Sequence, residues 1–194
     1  MGDISLPALL FIAIVIAQRL GELALARRNT SRLLAMGARE IGAAHYPLIV
    51  ALHTAWILAL LAFGWASSIS WPWIGAYLVL QAARVWILSS LGGRWTTRII
   101  VIDEPLVRRG PYRFVSHPNH LLVVAELLVV PMALGLPVVA IVFSELNLMM
   151  LHLNGKKLKQ IAFVEVQDIE FAVGACCPGA ARRPLIAQGF LLSH

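Results

Sequence analysis

The sequence predicts an all-α integral membrane bundle of about five transmembrane helices joined by polar cytoplasmic loops. Three observations point there. The chain of 194 residues is 59% hydrophobic and 13% charged, with a mean hydropathy of +0.79; an average soluble domain is about 25% charged. Its apolar runs approach the length of a bilayer crossing, about 20 residues. Its basic residues gather in alternate connections, the pattern that sets orientation in a membrane.

The first span is expected over Leu6 to Ala26. It is too long for the apolar core of a signal peptide and has an acidic residue, Asp3, in front of it, so it is expected to stay. Arg19 and Glu22, near its inner end, read as an interfacial pair whose long side chains reach out of the lipid. Arg27, Arg28, Arg32 and Arg39 follow. Span two covers about Tyr46 to Trp65, and an uncharged connection leads to span three, Trp73 to Leu91, with Trp71 and Trp73 as interfacial anchors. Spans four and five, about Asn119 to Leu134 and Pro137 to Leu153, form a tight helical hairpin. Arg94, Arg98, Arg108, Arg109 and Arg113 precede span four; Lys156, Lys157 and Lys159 follow span five. The amino terminus is therefore expected outside, with the basic loops and carboxyl terminus in the cytoplasm.

Residues 1–153 then make a membrane domain and 154–194 a cytoplasmic tail. Cys176 and Cys177 in the tail are adjacent, match no zinc or redox spacing, and read as reduced, non-catalytic thiols. Net charge is +6, but topology and anionic headgroups account for it. Membrane lipids, not nucleic acid, are the expected partners.

The connection Gly92 to Ser116 is too regular to be a mere linker. Ile99-Ile100-Val101-Ile102 can run extended, while Asp103-Glu104-Pro105 and Gly110-Pro111 turn the chain. It leads into Tyr112, His117, Pro118, Asn119 and His120 at the mouth of span four, with Glu126 two turns inside. Ionisable groups at membrane depth are costly and mark sites by default. His117 and His120 share a helix face, yet no second carboxylate or cysteine stands near in sequence to complete a metal site. Pro118 also serves simply to start a helix. Glu126 reads equally as the ion-pair partner of Arg84 or as an acceptor for a cationic ligand or substrate hydroxyl. Glu145 and Asn147 are expected to face the bundle interior.

Gly110-Pro111-Tyr112-Arg113-Phe114-Val115-x-His117-Pro118-Asn119-x-Leu121, followed by an intramembrane Glu126, resembles the isoprenylcysteine carboxyl methyltransferase family. Gln18-Arg19-Leu20-Gly21-Glu22, Ala26-Arg27-Arg28-Asn29, His45-Tyr46-Pro47, Leu52-His53-Thr54, Ala83-Arg84-Val85-Trp86 and Leu91-Gly92-x-x-Trp95 are similar to its small bacterial branch. That branch is often associated with type III polyketide synthases, which the resemblance suggests as a pathway partner. It implies a membrane methyltransferase that uses S-adenosylmethionine without a Rossmann domain, the loop before span four wrapping the cofactor. Carried over by position, Glu104, Pro105, Leu106 and Val107 line the cofactor through backbone, and Tyr112, His117, Pro118, Asn119 and His120 complete its site. His120 stands where the family often has Tyr.

The resemblance further implies O-methylation of a lipophilic carboxylate or enol, alkylpyrone-, alkylresorcinol- or isoprenylcysteine-like. Arg84, Arg94, Arg98 or Arg113 would steer the anion, His120 would take a proton, and Glu126 would support turnover. The alternatives are N-methylation of a phospholipid headgroup and a degenerate, non-catalytic membrane homologue. The last arises because the family's terminal Arg-x-x-x-Glu motif has no Arg or Glu in register across His152 to Lys159.

Overall fold

The computed structural model describes residues 4–41, 46–101, 110–115 and 117–152. Among the described residues five α-helices carry the fold: α1 (Leu6–Ala35), α2 (Tyr46–Gly64), α3 (Trp71–Leu91), α4 (Pro118–Ala133) and α5 (Pro137–His152). Proline opens the first turn of α1, α3 and α4, where its missing N–H and fixed φ cost nothing. One boundary is corrected: α1 continues nine residues past Ala26. It has 30 residues, hence about 45 Å against a hydrocarbon core of about 30 Å. Among the described residues α1, α2 and α3, the last with its trailing turn, are long and apolar enough to cross a membrane, and α4 and α5 are shorter apolar helices. The 16 residues of α4 reach about 24 Å, and α5 is of the same short class.

The helices alternate in direction. At one end the Ser5 N–H donates to the Trp65 carbonyl (3.1 Å) and the Ser70 N–H to the Ala133 carbonyl (2.9 Å). At the other, basic end, α1 runs past α3 and holds the chain that follows it. The Asn29 amide donates to the carbonyls of Gly92 (3.3 Å) and Trp95 (2.8 Å), and the Thr30 and Thr96 hydroxyls lie 2.7 Å apart. There the expected extended segment forms β2 (Ile99–Val101), antiparallel to an unforeseen β1 (Arg39–Ile41), with Arg39 opposite Val101. Arg98 ties this ribbon together: its Nη1 donates to both Glu40 carboxylate oxygens (3.0 and 2.9 Å), and its guanidinium lies 4.6 Å from the Tyr46 ring centre.

The apolar core sits toward the far end, where Phe11, Ile12 and Val15 of α1 meet Trp56 and Leu60 of α2, Tyr77 of α3 and Leu127 and Val130 of α4. Phe11 meets Tyr77 edge-on, ring centres 5.2 Å apart. Gly64 lets the end of α2 close on this core, because an added Cβ would lie 3.0 Å from Leu134 Cδ1 and 3.1 Å from Ile12 Cδ1. The outward helix faces are apolar, with Leu10, Ile14, Leu58, Val79, Val85 and Ile141 all exposed. Such a coat suits lipid and is far larger than a soluble surface carries. Burial in α2 is confined to Trp56, Leu60 and Gly64. The helix is docked by its second half, and the half from Tyr46 to Ala55 is left to wall a cavity.

Candidate functional site

Helical spacing brings the polar residues together. In α1 the buried positions Ala8, Phe11, Ile12 and Val15 recur after Ala26 as Asn29, Thr30 and Leu33. Arg19 and Glu22 continue the same three- and four-residue stripe between them. In α3 the stripe runs Tyr77, Gln81, Arg84, Ile87, Leu91, and in α4 Pro118, Leu122, Glu126, Val130. Where the stripes meet, two guanidiniums and two carboxylates interlock at a formal charge of zero. Glu126 accepts from Arg19 Nη2 (2.7 Å), Arg84 Nε (2.9 Å) and Gln81 Nε2 (3.1 Å), and also from Arg84 Nη2. Glu22 accepts from Arg19 Nη1 (3.1 Å) and Gln18 Nε2 (2.8 Å), and its Oε1 forms an ion pair with Arg84, 3.0 Å from Nε. The Tyr77 hydroxyl donates to the side-chain amide oxygen Oε1 of Gln18, and Arg19 lies 5.7 Å from the Trp56 ring centre. Removing one member of such a buried pair costs about 3–5 kcal/mol, since its partner is left charged and dry.

Above this floor lies a cavity of about 260 Å³. Arg19, Glu22 and Arg84 form its polar base, and Leu23, Ile49, Ile57, Val123, Met150 and Leu151 its apolar walls. Tyr46, Trp95, Thr96 and Thr97 close the basic end, while Asn119 and His120 enter from α4, His53 from α2 and Asn147 from α5. Leu20 and Val50 also line it, yet they are 61% and 39% exposed on the outer helix faces. The cavity therefore reaches the apolar coat between α1 and α2. Three buried polar atoms of lining residues have no partner among the described residues: Trp95 Nε1, Asn119 Oδ1 and Asn147 Nδ2. Trp95 and Asn147 are only 3% and 4% exposed. Unmatched buried donors and acceptors are rare in folded proteins and call for an explanation; a polar ligand provides one.

At the mouth of α4, His117 occupies the N-cap position without a side-chain capping bond and His120 lies one turn on, ring centres 5.5 Å apart and tilted by 30°. The 3-10 turn Gly110–Arg113 seats Tyr112 against the cluster of Ile87, Leu91, Trp95 and Leu122. Burial pushes the Tyr112 phenol up to about 12 and holds the His117 imidazole below its ordinary range. Both groups are neutral near pH 7.

The expected site residues thus fall into three places. Arg84, Asn119 and His120 line the cavity; Glu126 is buried in the ion network beneath it, in the ion-pair arrangement with Arg84; Tyr112, His117 and Pro118 stand at the α4 mouth, outside the cavity lining. Glu104, Pro105, Leu106 and Val107 lie outside the described residues, as do the tail 154–194, Cys176 and Cys177. Two readings are corrected. Arg19 and Glu22 are no interfacial pair reaching for water: both are largely buried and complete the network on Glu126 and Arg84. Asn147 faces inward as expected, but Glu145 is exposed, because the α5 stripe Ala140, Ser144, Asn147 leaves position 145 on the opposite face. His53 was missed as a wall residue. A lone imidazole inside a run as apolar as α2 was the available signal.

The family model of the isoprenylcysteine carboxyl methyltransferase (ICMT) family matches residues 73–160, from α3 through the polar loop to the end of α5 and beyond. The chain is also 38% identical over 152 residues to the uncharacterized protein YpbQ of Bacillus subtilis (strain 168), an alignment covering 75% of this chain and 90% of the relative. No solved structure matches it. With apolar helices of crossing length and the Gly-Pro-Tyr to His-Pro-Asn segment inside the matched region, this integral membrane protein belongs to the isoprenylcysteine carboxyl methyltransferase family.

Proposed function

We propose that the chain is an S-adenosylmethionine-dependent O-methyltransferase acting on a lipophilic carboxylate or enol at the membrane. The observation that carries this reading is the cavity. It combines an apolar opening toward lipid, a charge-balanced polar base, and unmatched donors at Trp95 Nε1 and Asn147 Nδ2 suited to an oxygen nucleophile. Its volume, about 260 Å³, lies just under the usual range for a small-molecule pocket, about 300–1,000 Å³. That is room for a substrate headgroup and the start of its tail, not for both reactants.

The cofactor belongs at the adjoining mouth of α4. His117, Asn119 and His120 would hold it, with Tyr112 beneath and Glu104 to Val107 completing the wrap. The unmatched Asn119 Oδ1 and the neutral His117 offer acceptors to its N–H and O–H groups. S-adenosylmethionine, when bound, supplies an electrophilic methyl on a sulfonium. The chain's own part is alignment and exclusion of water. Orienting two reactants at contact distance is worth about 7–11 kcal/mol, and a pocket between apolar helices strips water from the attacking oxygen. Arg84 acts from the base, held in direction by Glu22 and Glu126. The basic loops at this end support a cytoplasmic mouth, with the amino terminus outside.

The test is incubation of the full chain in lipid nanodiscs with methyl-labelled S-adenosylmethionine and a lipid extract. Label entering a neutral ester or ether supports the reading. Label in a phospholipid headgroup supports N-methylation instead, and no transfer with no cofactor binding identifies a non-catalytic homologue.

A further inference from the structure

His53 stands near the middle of α2, about two turns from the basic end, in a helix whose other residues are apolar save Tyr46 and Thr54. Its Nδ1 lies 2.9 Å from the Ile49 carbonyl oxygen. A carbonyl can only accept, so Nδ1 carries the proton. In the neutral ring, Nε2 is then an acceptor with its lone pair available. The ring lines the cavity from α2, and Asn119 and His120, where the cofactor is proposed to sit, line the same cavity from α4. We propose that His53 is the proton acceptor of this site, taking the hydroxyl proton of the substrate on Nε2. The inference rests on the methyltransferase reading and deepens it.

The charges around the cavity explain why such a group is needed. The Arg19 and Arg84 guanidiniums at its base are matched by Glu22 and Glu126. The base therefore brings no net positive charge to draw a proton off a hydroxyl. A neutral hydroxyl can enter this environment without loss, but it attacks poorly until its proton has somewhere to go. His53 sits beside the network without belonging to it: its ring bonds its own helix. In the step, the substrate O–H bond breaks and its proton passes to Nε2. The freed oxygen electron pair forms the O–CH₃ bond, and the CH₃–S bond breaks with its pair moving to sulfur, leaving a neutral thioether and an imidazolium. The imidazolium then returns its proton to water. A base so placed contributes about 10²–10⁴-fold to rate. Sequence reasoning gave this role to His120, which also lines the cavity; its ring lies 5.5 Å from that of His117, tilted by 30°.

The charged and titratable groups around His53 are Tyr46 on its own helix, Arg19 and Glu22 on α1, Arg84 on α3, and Glu126 and His120 on α4. The experiment uses the full chain in nanodiscs, labelled S-adenosylmethionine and a long-chain alkylphenol as probe. His53→Asn keeps an N–H for the Ile49 carbonyl but has no lone pair at the Nε2 position. It is expected to lower kcat at least 100-fold, to leave the cofactor dissociation constant within about two-fold, and to abolish the fall in rate that the wild type shows toward acid pH. His53→Ala is expected to lose as much and to recover with added imidazole, which covers the case in which the Asn variant folds poorly. A kcat for His53→Asn within about three-fold of wild type, with the acid limb intact, overturns the assignment while the methyltransferase reading stands. A wild type that binds no cofactor and transfers no methyl overturns both.

Discussion

The guanidinium of Arg84, on α3, meets the carboxylate of Glu126, on α4, side by side, Nε to Oε1 at 2.9 Å and Nη2 to Oε2. Both are almost fully buried. This pair joins the two most closely packed helices and sets the floor on which the cavity stands. Because Arg19 and Glu22 share it, it behaves as one unit of four.

Glu126→Gln leaves two arginines facing Glu22 alone. The expected loss is about 3–5 kcal/mol of stability, read as a lowered thermal midpoint in detergent, together with slower turnover. Replacing Arg84 and Glu126 together by Met and Leu is expected to recover much of the stability and none of the activity. A single variant as stable as wild type would show that the network is loose.

Asn147 is a different case. Its Nδ2 is buried without a partner among the described residues, a cost of about 1–3 kcal/mol that an apolar residue of similar shape avoids. Asn147→Leu is therefore expected to raise the thermal midpoint and to slow methyl transfer at least ten-fold. Residues kept for function at the expense of stability behave in this way. Loss of stability instead would place Asn147 in packing.

Gly110 anchors the turn that carries Tyr112. Its φ is +59°, and a Cβ would collide with Ser90 Oγ and lie 3.2 Å from Trp86 Nε1. Gly110→Ala is expected to cost about 1–3 kcal/mol in strain and to weaken cofactor binding by detaching the turn from α3. Adding Ser90→Ala relieves the collision but not the strained φ, so rescue should be partial. Hydrogen exchange across 110–115 reads the effect directly.

The His117 imidazole is held below its ordinary 6.5 by burial. The folded chain then binds fewer protons than the unfolded one as pH drops through about 6.5. Stability is full above that pH and is lost below it. The thermal midpoint of the wild type is expected to fall more steeply from pH 7 to pH 5 than that of His117→Gln, and equal slopes would mean that the ring is solvated.

Much of this was legible in the chain. Apolar length and basic spacing located all five helices, because lipid demands both. The pairing of Arg84 with Glu126 was one of two readings left open by a carboxyl two turns inside a span. Arg19 and Glu22 were misread because an oppositely charged pair three residues apart near a helix end looks solvated. Only the stripe Val15, Arg19, Glu22, Ala26, traced as one face, shows that they point inward. The extension of α1 to Ala35 hid behind its arginines: Arg27, Arg28 and Arg32 are exposed while Asn29, Thr30 and Leu33 are buried. Three-residue strands such as β1 carry too little pattern to be seen alone. His53 needed the fold, since its meaning lies in which cavity its helix walls.

The most direct measurement is a calorimetric titration of S-adenosylmethionine into the full chain in nanodiscs, run beside His117→Ala. The account predicts saturable binding by the wild type, with a dissociation constant between about 1 μM and 1 mM, and no measurable binding by the variant. Equal binding by both proteins, or heat from neither, would contradict it.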